Sequence, residues 1–268
     1  MFALSALAAL ITLVPLLLIF EHLLADGVGA LDLAFFTQLP RPVGEPGGGM
    51  ANSLAGTLEL LAIVGVIGLP ISILAGVFLS ECRGSPLASV TRFTADVLTG
   101  VPSIVAGIVI WVAVVRRMGH FSGVAGGLAL SLLLMPMVVR TTEEVVRRIP
   151  GSLREAGLAL GLPYWRTTVG VVLPSAAGGI ATGALVALAR VAGETAPLLF
   201  TAFGNRFWQL NPLQPIAALP LQVFQYAISP YDDWHRQAWA ASLVLISIVL
   251  VISIVARVAT RTRHGRAD

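Results

Sequence analysis

The sequence predicts an all-α integral membrane protein with six transmembrane helices. Three observations carry this. Only 12% of residues are charged, where soluble domains carry about 25%. Mean hydropathy is +0.87. Six apolar stretches lie at about 3–24, 54–80, 97–116, 122–140, 169–203 and 238–258, and a span needs roughly 20 such residues. With no repeat of fixed period, residues 1–268 read as one transmembrane domain.

Taken in order, the first stretch lacks a basic leader and a clear small-x-small cleavage site, so it reads as a retained helix. Residues 25–50 follow, with Pro40, Pro42, Pro46 and Gly47-Gly48-Gly49, the breakers of a surface loop. The second, third, fourth and sixth stretches fit single spans. The fifth, 169–203, is too long for one upright span and predicts a tilted helix or one that leaves the bilayer. Between the fifth and sixth, residues 204–235 hold Pro212, Pro215, Pro220 and Pro230 around the apolar 219–228, which predicts a short helix or re-entrant segment. Trp208, Trp234 and Trp239 fall nearby, as in an interfacial aromatic belt.

The positive-inside tendency orients the spans. Arg83, Arg92, Arg140, Arg147, Arg148, Arg154, Arg166, Arg257, Arg261, Arg263 and Arg266 fall on one side, and Arg41, Arg116, Arg117, Arg206 and Arg236 on the other. The first side is therefore expected to be cytoplasmic, with both termini on it. Asn52, Glu59 and Asp96 lie near span ends, where interfacial solvation accounts for them.

Composition also excludes functions. All 17 basic residues are arginine. A Walker A phosphate loop needs a lysine, so any ATP chemistry belongs to another chain. The single cysteine, Cys82, excludes an internal disulfide and a cysteine metal cluster, and the four histidines have no ligand spacing. No basic stripe with interleaved aromatics suggests nucleic acid.

The segment from Arg140 to Pro174 is the most informative. Pro150 and Pro163 bracket a short helix, about 151–162, with Ser152 and Glu155 spaced as a capping box. Leu153, Ala156, Leu160 and Gly157 form an apolar stripe at helical spacing. By itself the pattern fits either a connector lying against the membrane or a helix docking into a partner's groove. In the fifth stretch, Arg190 and Glu194 are four residues apart and could pair on one helical face. A mid-membrane charge costs roughly 2.5–3.5 kcal/mol, so the two either lock helix packing or face a wet pathway. Pro197 invites a kink just beyond them.

Two resemblances sharpen this. Glu155-Ala156-Gly157, three residues, Gly161, nine residues, Val171, one residue, Leu173-Pro174 resembles the EAA signature of binding-protein-dependent ABC-importer permeases. Every spacing matches; Gly157 stands for the second alanine and Val171 for isoleucine. The stretch 185–203 around Arg190 resembles the fifth span of A-type permeases of the phosphate-specific transport (Pst) systems, and Leu98–Val105, Val138–Glu144 and Leu219–Tyr226 are similar to the same family, over about residues 50–260.

These resemblances imply a type I ABC-importer permease fold, and a chain that is a transport subunit of the bacterial inner membrane. The segment 151–162 would be the cytoplasmic coupling helix, with Glu155, Ala156, Gly157 and Gly161 meeting the ATPase. Arg190 and Glu194 would line the phosphate pathway. Partners would be a homologous second permease subunit, two ATPase subunits carrying ATP and Mg, and an external phosphate-binding protein on the 25–50 and 204–235 surfaces. No cofactor is expected on this chain. A permease half for another oxyanion or solute would share the 155–174 signature, and a stand-alone proton-coupled transporter would need no ATPase.

Overall fold

The computed structural model of the chain describes residues 2–42, 45 and 47–264; Pro46 and Arg266, used above, lie outside them. Helix α1 runs Phe2–Gly27, followed by the short α2, Leu33–Thr37. Asp32 caps α2 by accepting from the Phe35 amide at 2.7 Å. Then come α3 (Ala51–Glu81), α4 (Pro86–Thr99), α5 (Ser103–Met118) and α6 (Gly123–Arg147). The second half holds α7 (Gly151–Ala159), α8 (Tyr164–Val191), α9 (Ala196–Leu199), α10 (Leu219–Ala227) and α11 (Asp232–His264).

Among the described residues five helices are long and apolar enough to cross a membrane, or six if the bent pair α4–α5 counts as one broken span. Three of the long rods, α3, α5 and α8, contain a π turn, at Val64–Gly68, Trp111–Val115 and Thr168–Val172. The centre is α6, packed against α3, α4, α5 and α8. Leu130, Leu134 and Val138 of α6 meet Leu60 and Val64 of α3 and Ala187 and Val191 of α8 in one buried cluster. Close approach needs small residues: a Cβ at Gly183 of α8 would lie 2.2 Å from the Thr141 methyl of α6. Helix α11 closes the other side, against α1, α8 and α10.

Several boundaries depart from the sequence expectation; α11, for one, runs Asp232–His264 where 238–258 was expected. The third stretch is not one rod from 97 to 116. Helix α4 stops at Thr99, the chain turns through Gly100-Val101-Pro102, and α5 leaves at 113°. Pro102 disfavours helical geometry in Val101, and its ring suits a helix start. The fourth helix runs seven residues past 140, to Arg147, carrying its charged end clear of the apolar part.

The fifth stretch ends early. Helix α8 stops at Val191, a turn occupies 192–195, and Pro197 opens α9. Pro197 has no amide to give to the Gly193 carbonyl, so the helix ends rather than kinks. The expected short segment in 204–235 is α10, with Leu219 and Tyr226 buried against α11 and neighbours and Leu221 in the cluster around α6.

Candidate functional site

The end of α8 and the α4–α5 bend face each other across α6. Between them lies a cleft of about 280 Å³. Leu98, Thr99, Val101, Pro102 and Ser103 form one wall, Leu133, Pro136 and Met137 the floor, and Arg190, Val191 and Glu194 the other wall. The stretch Leu98–Val105, read from sequence as the opening of a span, is thus the bend that walls the cleft.

Arg190 and Glu194 share this cleft but make no ion pair within 4.0 Å. This corrects the expectation of an i,i+4 pair. The Gly193 amide donates to the Arg190 carbonyl at 3.3 Å and the Glu194 amide to the Val191 carbonyl at 3.2 Å, which tightens the chain into a turn. Glu194 therefore does not stand one helical turn above Arg190. Among the described residues the Arg190 guanidinium has no hydrogen-bond or ion-pair partner. An arginine fork with free donors in a polar cleft between helices can bind an oxyanion with two parallel hydrogen bonds.

One turn from the cleft wall lies a charge cluster that sequence reasoning missed. Glu143 of α6 is 1% exposed. Its carboxylate accepts from Arg92 of α4 at 2.7 Å and from Arg140 at 3.3 Å, and forms an ion pair with Arg147 at 3.2 Å. Arg140 also pairs with Asp96 of α4. Asp96 is therefore ion-paired, not simply solvated. The signal was the Arg140, Glu143, Arg147 spacing on one helical face; Arg92 comes from 51 residues away. Asn52 is likewise buried and donates to the Asn205 carbonyl at 2.6 Å. Both Glu59 carboxylate oxygens are buried with no hydrogen-bond partner, contrary to the solvation expected of them.

The second region is α7. Pro150 precedes it, and no side chain caps it, so Ser152 does not act as the expected cap. The helix ends at Ala159, short of the expected 162, while Gly161 turns the chain after it as expected: its φ is +83°, and the Leu162 amide donates to the Gly157 carbonyl at 3.2 Å. A left-handed residue closing the last turn favours glycine. Glu155 and Ala156 are exposed, as are Leu153 and Leu160, the latter at 83%. Gly157 is the buried exception, turned toward Thr167 of α8. A short helix thus presents an acidic and apolar face outward.

Residues 68–263, a region holding the cleft and α7, match the family model described as binding-protein-dependent transport system inner membrane component. The chain belongs to this family. The permease is 48% identical over 233 residues to the phosphate transport system permease protein PstA of Yersinia pestis, covering 87% of this chain and 79% of that one. It is 45% identical over 255 residues to a protein of the same name from Xylella fastidiosa, covering 94% and 88%. A probable PstA of Methanocaldococcus jannaschii is 36% identical, with 94% and 89% covered.

Solved structures share the permease fold at lower identity. An inward-facing MetNI methionine ABC transporter chain superposes with TM-score 0.63 at 21% identity, covering 80% of this permease and 96% of that chain. A chain of an amino acid ABC transporter gives 0.56 at 17%, covering 78% and 92%. The permease is thus a multi-pass membrane subunit of the type I importer fold. Helix α1 lies before the residues matched by the family model, but the Xylella fastidiosa relative aligns over 94% of this chain and so reaches into the first 50 residues, beyond the expected likeness over 50–260.

Proposed function

We propose that this permease carries inorganic phosphate into the cytoplasm as one half of the membrane part of an ATP-driven importer. The carrying observation is the likeness to phosphate permeases over most of the chain, joined to a free guanidinium in the inter-helix cleft. The second half would be a homologous permease subunit, whose own helices complete the pathway. Two ATPase subunits would supply ATP and Mg²⁺ chemistry, for which this chain has no phosphate loop. An external phosphate-binding protein would deliver the solute, and both termini would lie in the cytoplasm.

In this reading α7 docks in a groove of one ATPase subunit through Leu153, Glu155, Ala156 and Leu160. Closure of the ATPase dimer displaces α7 and turns the cleft outward. Phosphate oxygens then meet the Arg190 fork. Because Glu194 shares the cleft without quenching Arg190, it limits how tightly an anion is held, so phosphate leaves again.

The test is uptake of radiolabelled phosphate by proteoliposomes holding this chain, its partner permease and the ATPase, with the binding protein outside. ATP-dependent uptake that fails in Arg190→Met is expected. Uptake without ATP, or competition by sulfate at equal concentration, would overturn the assignment.

A further inference from the structure

Helix α7 touches more than the segment it belongs to. Arg154, on its inward face, donates to Glu81 at the end of α3 at 2.8 Å. The same guanidinium reaches the Ile149 carbonyl at 3.3 Å and the Val146 carbonyl at 3.5 Å, at the end of α6. Tyr164, the first residue of α8, donates its hydroxyl to the other Glu81 oxygen. Glu81 thus gathers three elements at one carboxylate, drawn together from 73 and 83 residues away. The side chains of Glu81 and Arg154 are 8% and 18% exposed, so the pair is largely withdrawn from solvent.

We infer that Arg154 and Glu81 are positioning residues that make the end of α3 move with α7. The inference rests on the reading of α7 as the ATPase-docking helix. Separating a buried pair leaves both charges without each other, which is costlier than moving both helices together. The Arg154 and Tyr164 bonds to Glu81, and the Arg154 bonds to the carbonyls at the end of α6, would have to be given up. Beyond Glu81 only residues 82–85 separate α3 from α4, and α4 leads directly into the bend that walls the Arg190 cleft. A displacement of α7 therefore has a continuous polar joint to α3 and a short link to that wall. The outward face of α7 would engage the ATPase while Arg154 on the inward face passes the motion on.

Cys82, next to Glu81, is the chain's only cysteine and is exposed, so it reports the end of α3 without further engineering. The chain is spin-labelled there and assembled with cysteine-free partner permease and ATPase subunits. Its spectrum is recorded without nucleotide and with ATP trapped by vanadate. A nucleotide-dependent change is expected in the wild type. Arg154→Met and the nearly isosteric Glu81→Gln should lose it while the ATPase still copurifies and hydrolyses ATP. Arg154→Lys, which keeps the charge, should retain part of it. A change of undiminished size in both Arg154→Met and Glu81→Gln would overturn the inference, as would a wild-type complex with bound ATPase and no change. Wild-type chain that fails to retain the ATPase would remove the docking reading and this inference with it.

Discussion

Thr167 occupies the space that a side chain at Gly157 would need: its methyl carbon lies 2.7 Å, and its hydroxyl oxygen 3.0 Å, from where a Cβ at Gly157 would sit. Helix propensity alone would make glycine here a loosening of α7 by up to about 1 kcal/mol. The structure instead makes Gly157 and Thr167 a matched pair that seats α7 on the start of α8. Gly157→Ala should therefore destabilise the joint by about 1–3 kcal/mol, the range for overpacking. Gly157→Ala with Thr167→Ala removes both close atoms and leaves only the Thr167 Cβ position, 3.4 Å away. The double variant should recover, with up to about 1 kcal/mol of added helix propensity. Thermal unfolding of the purified complex, with ATP hydrolysed per phosphate imported, checks this. A single variant as stable as wild type would mean that the two segments slide apart freely.

The Glu143 cluster predicts a graded series. Glu143→Ala leaves Arg92, Arg140 and Arg147 converging without their shared carboxylate. Breaking a buried pair costs about 3–5 kcal/mol, but these arginine side chains are 25%, 32% and 40% exposed, so solvent should reduce the loss to about 1–3 kcal/mol. Arg147→Ala removes the most exposed partner and should cost under about 1 kcal/mol. Arg92→Ala should fall between, because it also frees α4 from α6. Protein yield and unfolding temperature in detergent give the order, and equal losses for all three would argue against Glu143 as the hub.

Much of this was legible in residue order, and the reason is locality. Pro150, Gly161 and the Glu155–Pro174 spacing mark α7 through short-range rules. Apolar length marks the spans, and Arg190 stands out as a charge where few are tolerated. What stayed hidden depends on chain segments meeting. Glu143 needs Arg92, and Glu81 needs Arg154, across 51 and 73 residues. The α4–α5 bend was hidden for another reason. An apolar run reads the same straight or folded, and Pro102 stood inside one. The supposed Arg190–Glu194 pair failed because a helical spacing was assumed across Gly193 to Pro197, where the helix had already ended.

The cleft itself predicts asymmetry between its two charges. Arg190→Met should abolish ATP-dependent phosphate uptake, and Arg190→Lys should keep only part, because an ammonium cannot offer the planar fork. Glu194→Gln removes the neighbouring negative charge without removing any partner of Arg190. It should bind phosphate more tightly and release it more slowly, so that KM and maximal uptake fall together. Uptake kinetics at several phosphate concentrations separate these cases; unchanged kinetics in Glu194→Gln would leave Glu194 without a role in transport.

The turn at 192–195 should be a requirement for Arg190 to stay free. Pro197 withholds one helical hydrogen bond and costs about 3 kcal/mol inside a helix, and Gly193 costs about 1 kcal/mol relative to alanine. A Cβ at Gly193 would meet nothing closer than the Arg190 carbonyl at 3.9 Å, so alanine fits there. Gly193→Ala with Pro197→Ala should let α8 continue past Val191. Glu194 would then stand one turn above Arg190, and the two would pair. Uptake should fall although the protein is no less helical by circular dichroism. Adding Glu194→Gln to that double variant should raise uptake to the level of Glu194→Gln alone, because a neutral amide leaves the guanidinium charge uncompensated. If the triple variant transports no better than the double, the loss comes from the altered backbone and not from quenching of Arg190.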